Sequence, residues 1–79
     1  MVSTLWRELY DVYIPMKRLY NLIMNTYQKE GECSVKITQN GKPIIKCDGE
    51  DMENVLRNTI MELDYWERNK EKNKDLRKE

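Results

Sequence analysis

The chain contains no His and no Phe, and only 2 Cys, 2 Pro and 3 Gly in 79 residues. Without His it lacks the side chain best suited to proton transfer near neutral pH, which is also the commonest metal ligand. Two cysteines cannot complete a four-ligand structural zinc site within one chain. The glycines stand singly at Gly31, Gly41 and Gly49. Neither GxxxxGK[ST] nor GxGxxG is therefore present to cradle a phosphate. No enzymatic activity, cofactor or metal is expected. Long apolar runs are also missing. The longest uncharged stretch, residues 19–28, is about half of the ~20 residues that cross a bilayer. The first residues lack a basic region followed by an apolar run, so no signal peptide is expected. A cytoplasmic location with reduced cysteines is expected.

What is present is charge in balance and apolar residues in register. Lys plus Arg number 14, Asp plus Glu number 14, and the formal net charge is zero. A strongly steered polyanion binder is disfavoured. The apolar residues are periodic, which disordered chains are not. Leu5, Leu9, Val12, Met16, Leu19 and Ile23 keep a heptad spacing. Trp6, Tyr10, Tyr13, Lys17, Tyr20, Met24 and Tyr27 follow one residue behind. Together these stripes predict one helix over residues 3–29, with Ser3 or Thr4 as N-cap and Gly31 as the glycine past its end. Pro15 sits on the polar side of that helix. Both stripes hold phase across it, so a kink is favoured over a break.

Residues 32–48 predict a hairpin. Cys33, Val35 and Ile37 alternate with polar residues, Asn40-Gly41 marks the turn, and Pro43, Ile45 and Cys47 alternate on the way back. A three-residue loop would set Ile37 opposite Pro43, Val35 opposite Ile45 and Cys33 opposite Cys47, with all the apolar side chains on one face. Residues 49–68 predict a second helix, capped by Asp48 and buried along Met52, Val55, Leu56, Thr59, Ile60, Leu63 and Trp66. Asp64 and Arg68 are spaced to pair. Residues 69–79 are expected to form a charged, frayed helix end or tail.

The expected class is thus α+β: a single αββα domain over residues 1–68, with a long N-terminal helix, a two-stranded hairpin and a C-terminal helix. That order falls one strand short of the double-stranded-RNA-binding domain. The basic helix start of that family is also absent, and no family is assigned. A helix of about 40 Å with half its circumference apolar exceeds what one hairpin and one helix can cover. A homodimer is therefore expected.

For function, the expectation is a non-enzymatic protein–protein interaction module. Small chains without cofactors are common among phage and mobile-element products that bind and inhibit host proteins, including defence proteins. The candidate partner-binding residues are Arg57, Met61, Tyr65 and Arg68 on the second helix, joined by Trp6, Tyr10 and Tyr13 on the first. Met and Tyr between arginines have the composition of a contact spot. One alternative is a small dimeric nucleic-acid-binding regulator using Lys36, Lys42, Lys46 and the tail. Another is a sponge for a small nucleotide, held in a dimer cleft lined by Tyr and Arg. No membrane contact is expected.

Overall fold

A computed structural model describes the backbone of residues 2–77 and the side chains of residues 3–70. The element order is α1 (Val2–Tyr20), β1 (Leu22–Lys29), β2 (Glu32–Gln39), β3 (Lys42–Gly49) and α2 (Met52–Arg77). The α+β class holds, with three strands where the sequence pattern indicated two.

The long first helix does not form. α1 has 19 residues, about 28 Å at 1.5 Å per residue. Asn21 takes a left-handed conformation, φ 57°, which ends a helix and is tolerated by Asn better than by most residues. Two side chains hold this corner: Gln39 Nε2 donates to the Tyr20 carbonyl at 3.1 Å, and Asn21 Nδ2 donates to Asn40 Oδ1. Leu22–Lys29 then becomes a strand. Ile23 and Tyr27 are four apart, a spacing shared by a helix of period 3.6 and a strand of period 2. That coincidence made the segment read as helix. Pro15 lies within an unbroken α1. Ser3 and Thr4 lie in its first turn rather than capping it, and Gly31, φ 77°, serves the β1–β2 turn.

The sheet is an antiparallel meander in the order β1-β2-β3. The β2–β3 loop has two residues, closing on Gln39–Lys42. Asn40 and Gly41 both have positive φ, 53° and 83°, as a type I′ turn requires. A two-residue turn alone would put Val35 opposite Lys46. A register shift between Ile37 and Thr38 repairs this: Thr38 pairs with Pro43, but Ile37 pairs with Ile45 and Val35 with Cys47. Ile44 is the extra residue of the bulge. Pro43 therefore leaves the apolar face and is exposed. Cys33 pairs with Gly49, not with Cys47, and both thiols are free and buried.

Both helices pack on the face of the sheet that carries Cys33, Val35, Ile37, Ile45 and Cys47. Leu5, Leu9, Tyr13 and Met16 enter this core from α1, Leu22 from β1, and Met52, Val55, Leu56 and Leu63 from α2. Among the described residues, Thr59 is the one polar residue buried with them, and its hydroxyl donates to the Val55 carbonyl at 2.8 Å. Tyr20 and Trp66 close the end of the helix pair edge to face, at 5.0 Å. α2 starts later than its sequence signals indicated. Asp51, not Asp48, is its cap, with Asp51 Oδ1 accepting from the Glu53 N–H at 3.3 Å. Gly49 precedes it because a Cβ there would stand 3.3 Å from Val55 Cγ2. α2 continues to Arg77, so the expected tail begins as helix; side chains beyond Lys70 lie outside the described residues.

The shorter α1 weakens the ground on which a dimer was expected, because Leu5, Leu9, Tyr13 and Met16 are buried against α2 and the sheet, although Ile14 and Leu19 stay 47% and 65% exposed. The corner at Asn21 has a direct test. Asn21→Ala favours a continuous helix by intrinsic propensity, yet it puts a Cβ-bearing residue without Asn's tolerance into the left-handed region and removes the bond to Asn40. It is expected to lower stability by about 1–2 kcal/mol, read as a reduced urea midpoint. An increase in stability would support the longer helix.

Candidate functional site

α2 places its sequence-predicted residues as its periodicity requires. Arg57, Met61, Tyr65 and Arg68 lie opposite the stripe that carries Val55, Thr59 and Leu63 into the core. Met61 is 68% and Tyr65 65% exposed. They are four residues apart, so their side chains are neighbours on one helix face. Each arginine is held on its own helix, Arg57 by Glu53 and Arg68 by Asp64, both at 3.2 Å. These exposed pairs add little stability. Their effect is geometric, because they frame the Met–Tyr spot with partly neutralised charge. Lys70 lies over the Trp66 ring, 5.3 Å from its centroid, and extends the polar border towards the end of the described side chains.

The α1 residues divide. Trp6 is half-buried and stacks on Tyr10 with ring centroids 5.9 Å apart. Tyr10 is exposed and meets Tyr13 edge to face at 6.2 Å. Tyr13 is buried, and its hydroxyl donates to the Leu22 carbonyl at 3.3 Å. Tyr13 is thus a core anchor unavailable to a partner, while Trp6 and Tyr10 form a half-exposed flank. Among the described residues, no ring contact joins this flank to Met61 and Tyr65.

The outer face of the sheet, away from the helices, carries the basic candidates and more. Lys36 and Lys46 are cross-strand partners, and like charges directly opposite are unfavourable. β1 sets Asn25 beside Lys36, Tyr27 beside Ser34 and Ile23 beside Thr38. Ile23 is 57% and Tyr27 49% exposed. Tyr27 joins this basic face only because residues 22–29 are a strand and not a helix; Asn21, a residue that tolerates the left-handed conformation, was the available signal. Lys42 stands apart from the pair, beside the β2–β3 turn. A shallow groove of about 450 Å³ runs past Gly31, Glu32, Cys33, Ser34, Lys46, Asp48 and Gly49. It is lined by neither arginine nor aromatic ring.

Among the described residues, no group of three His, Cys, Asp or Glu is placed to hold a metal ion, and no helix is long and apolar enough to cross a membrane. Two groups have shifted acidity. Burial raises Cys47 above its ordinary 9.0; the Thr59 hydroxyl opposes the shift, and the charges of Glu62 and Asp48 add to it. Burial likewise raises Tyr13 above 10.0, against a hydrogen bond with the Met24 backbone. In both cases the unfolded chain loses its proton first. Stability is therefore unaffected below about pH 9 and falls as pH rises through that window. Urea midpoints are expected to be flat from about pH 7 to 8.5 and to drop by pH 10, with a smaller drop in Cys47→Ala. A midpoint that rises with pH would contradict the buried placement.

No family model, curated protein or solved structure matches the chain. The third strand brings the element order to that of the double-stranded-RNA-binding domain, but order alone does not show kinship. The start of α2 is acidic here, with Asp48, Glu50, Asp51 and Glu53, and would repel a phosphate backbone.

Proposed function

We propose that this chain is a non-enzymatic interaction module that docks on another protein through the outward stripe of α2. The observation that supports this most is the exposure of Met61 and Tyr65, 68% and 65%, side by side on a helix whose opposite face already supplies the core. A large apolar pair on that face adds nothing to folding and offers a desolvating contact to a partner. Arg57 and Arg68, already paired with Glu53 and Asp64, form a rim that accepts either sign of charge. Trp6 and Tyr10 supply a second, weaker contact. A sequence free of cofactor motifs is compatible with the finer proposal of a phage or mobile-element product that blocks a host defence protein.

A second reading is nucleic-acid binding on the outer sheet face. It is favoured by one arrangement, the opposed Lys36 and Lys46 with Tyr27 close by. A base could stack on Tyr27 while the lysines meet phosphate.

The two readings separate cleanly. Met61→Ala with Tyr65→Ala is expected to leave stability within about 0.5 kcal/mol and to weaken binding to the protein partner recovered from the native host at least tenfold. A folded double variant that binds as tightly as wild type removes the α2 stripe. Lys36→Glu with Lys46→Glu is expected to leave that partner bound. If instead wild type shifts a single-stranded oligonucleotide at about 50 mM salt, with affinity falling steeply as salt rises, and this variant does not, the second reading replaces the first.

A further inference from the structure

The two edges of the sheet are built differently. At the β3 edge, Pro43 lacks an N–H, the bulge at Ile44 interrupts the ladder, and Lys42, Lys46 and Asp48 bring charge. These are the devices that keep an edge strand from pairing. β1 has no Pro and no bulge, and its one charge is the terminal Lys29. Leu22 to Gln28 carries no charge and no Pro, and its pairing with β2 is regular over all 8 residues.

Two tight turns fix which peptide groups of β1 are free. The closing pairs Lys29–Glu32 and Gln39–Lys42 exchange hydrogen bonds. The odd-numbered residues of β1 therefore bond to β2, and the even-numbered ones turn their N–H and C=O outward. The α1 contact agrees with this: the Tyr13 hydroxyl meets the carbonyl of Leu22 and the backbone of Met24. Tyr13 thereby closes the start of the edge. Beyond it, Thr26 and Gln28 remain. Among the described residues, no backbone–backbone bond outside the helices and ladders reaches them. Thr26, Tyr27 and Gln28 are exposed on both faces.

We infer that the distal half of β1 is a homotypic docking edge, which takes β1 of a second copy antiparallel with Tyr27 facing Tyr27 across the twofold axis. Because α1 closes Leu22–Met24, the ladder is confined to residues 25–29, whose midpoint is Tyr27. Thr26 of each copy then exchanges both backbone bonds with Gln28 of the other. The two Tyr27 rings meet at a non-hydrogen-bonded position, where opposed side chains approach closest. Asn25 faces Lys29 of the second copy, so no like charges meet. A register centred on Asn25 would bring the second strand against Met24, beside the Tyr13 hydroxyl that holds the Leu22 carbonyl. The edge carries no charge before Lys29 with which to select a foreign strand of either sign, and it complements itself without repulsion. This edge is separate from the α2 stripe, so either proposal can fail alone.

The test is site-directed crosslinking of the full chain. Tyr27→Cys under diamide is expected to give a disulfide-linked dimer rapidly, since the new thiols face each other across the axis. Ile23→Cys, on the same face, is expected to stay monomeric, because its two copies lie about 27 Å apart at 3.4 Å per residue. Buried Cys33 and Cys47 leave wild type unlinked. Absence of the Tyr27→Cys dimer, or faster linkage at position 23, would overturn the proposal. Thr26→Pro supplies a second readout. It removes an N–H that β2 does not use, so the fold is expected to persist. Sedimentation of wild type is expected to rise with concentration towards a dimer, while the variant stays a monomer. A wild type that remains monomeric at millimolar concentration, or a variant that dimerises equally, would also overturn it.

Discussion

The structure turns on the reversal at Asn21. One residue in the left-handed region ends α1 and redirects the chain into the sheet. Without that corner, residues 22–29 would continue a helix with apolar side chains on half its surface. With it, Leu22 joins the core and Ile23 and Tyr27 move to the outer face of a third strand. The corner is held from the end of the neighbouring strand, by Gln39 and by Asn40 of the turn that follows it. The helix end and the β2–β3 turn therefore brace each other. A long-range bond of this kind cannot be read from local pattern, since its partners are 19 residues apart.

That constraint explains which parts of the fold were legible. α2 was read well because its buried stripe, Met52 to Trp66, has one period throughout. The predicted Asp64–Arg68 pair also forms, at 3.2 Å. The hairpin was read because Asn40-Gly41 has little alternative to a type I′ turn. Its register was missed because the bulge at Ile44 corrects the phase with one extra residue, and nothing in Pro43-Ile44-Ile45 marks where the extra residue falls. β1 was missed because a spacing of four satisfies both helix and strand. The cap of α2 was misplaced by three residues because Asp48, Glu50 and Asp51 are all acidic and close together. Only packing against Gly49 and Val55 decides among them.

The same split runs through the candidate site. Met61 and Tyr65 were legible because their outward position depends only on the phase of α2. Tyr13 was not, because its role depends on Leu22 and Met24 lying in a strand beside α1. Once the core has taken Tyr13, Leu5, Leu9 and Met16, the apolar surface left over is small and local. It comprises the Met61–Tyr65 spot, the Trp6–Tyr10 flank, Ile14 and Leu19 on α1, and Ile23 with Tyr27 on the sheet. The expected need for a second chain to cover a 40 Å helix disappears. What replaces it are separate surfaces, each with its own geometry: a helix face framed by ion pairs, and a strand edge left open where its opposite edge is guarded.

All of this depends on residues 22–29 being a strand paired to β2. Nuclear Overhauser spectroscopy reads that pairing directly. The pairing requires strong Hα–Hα cross-peaks between Met24 and Ile37 and between Thr26 and Val35, the non-hydrogen-bonded pairs of the β1–β2 ladder. A continuous run of sequential amide–amide cross-peaks from Tyr20 to Lys29, with those Hα–Hα peaks absent, would mean that α1 continues as a helix, and would contradict the corner, the third strand and the surfaces built on them.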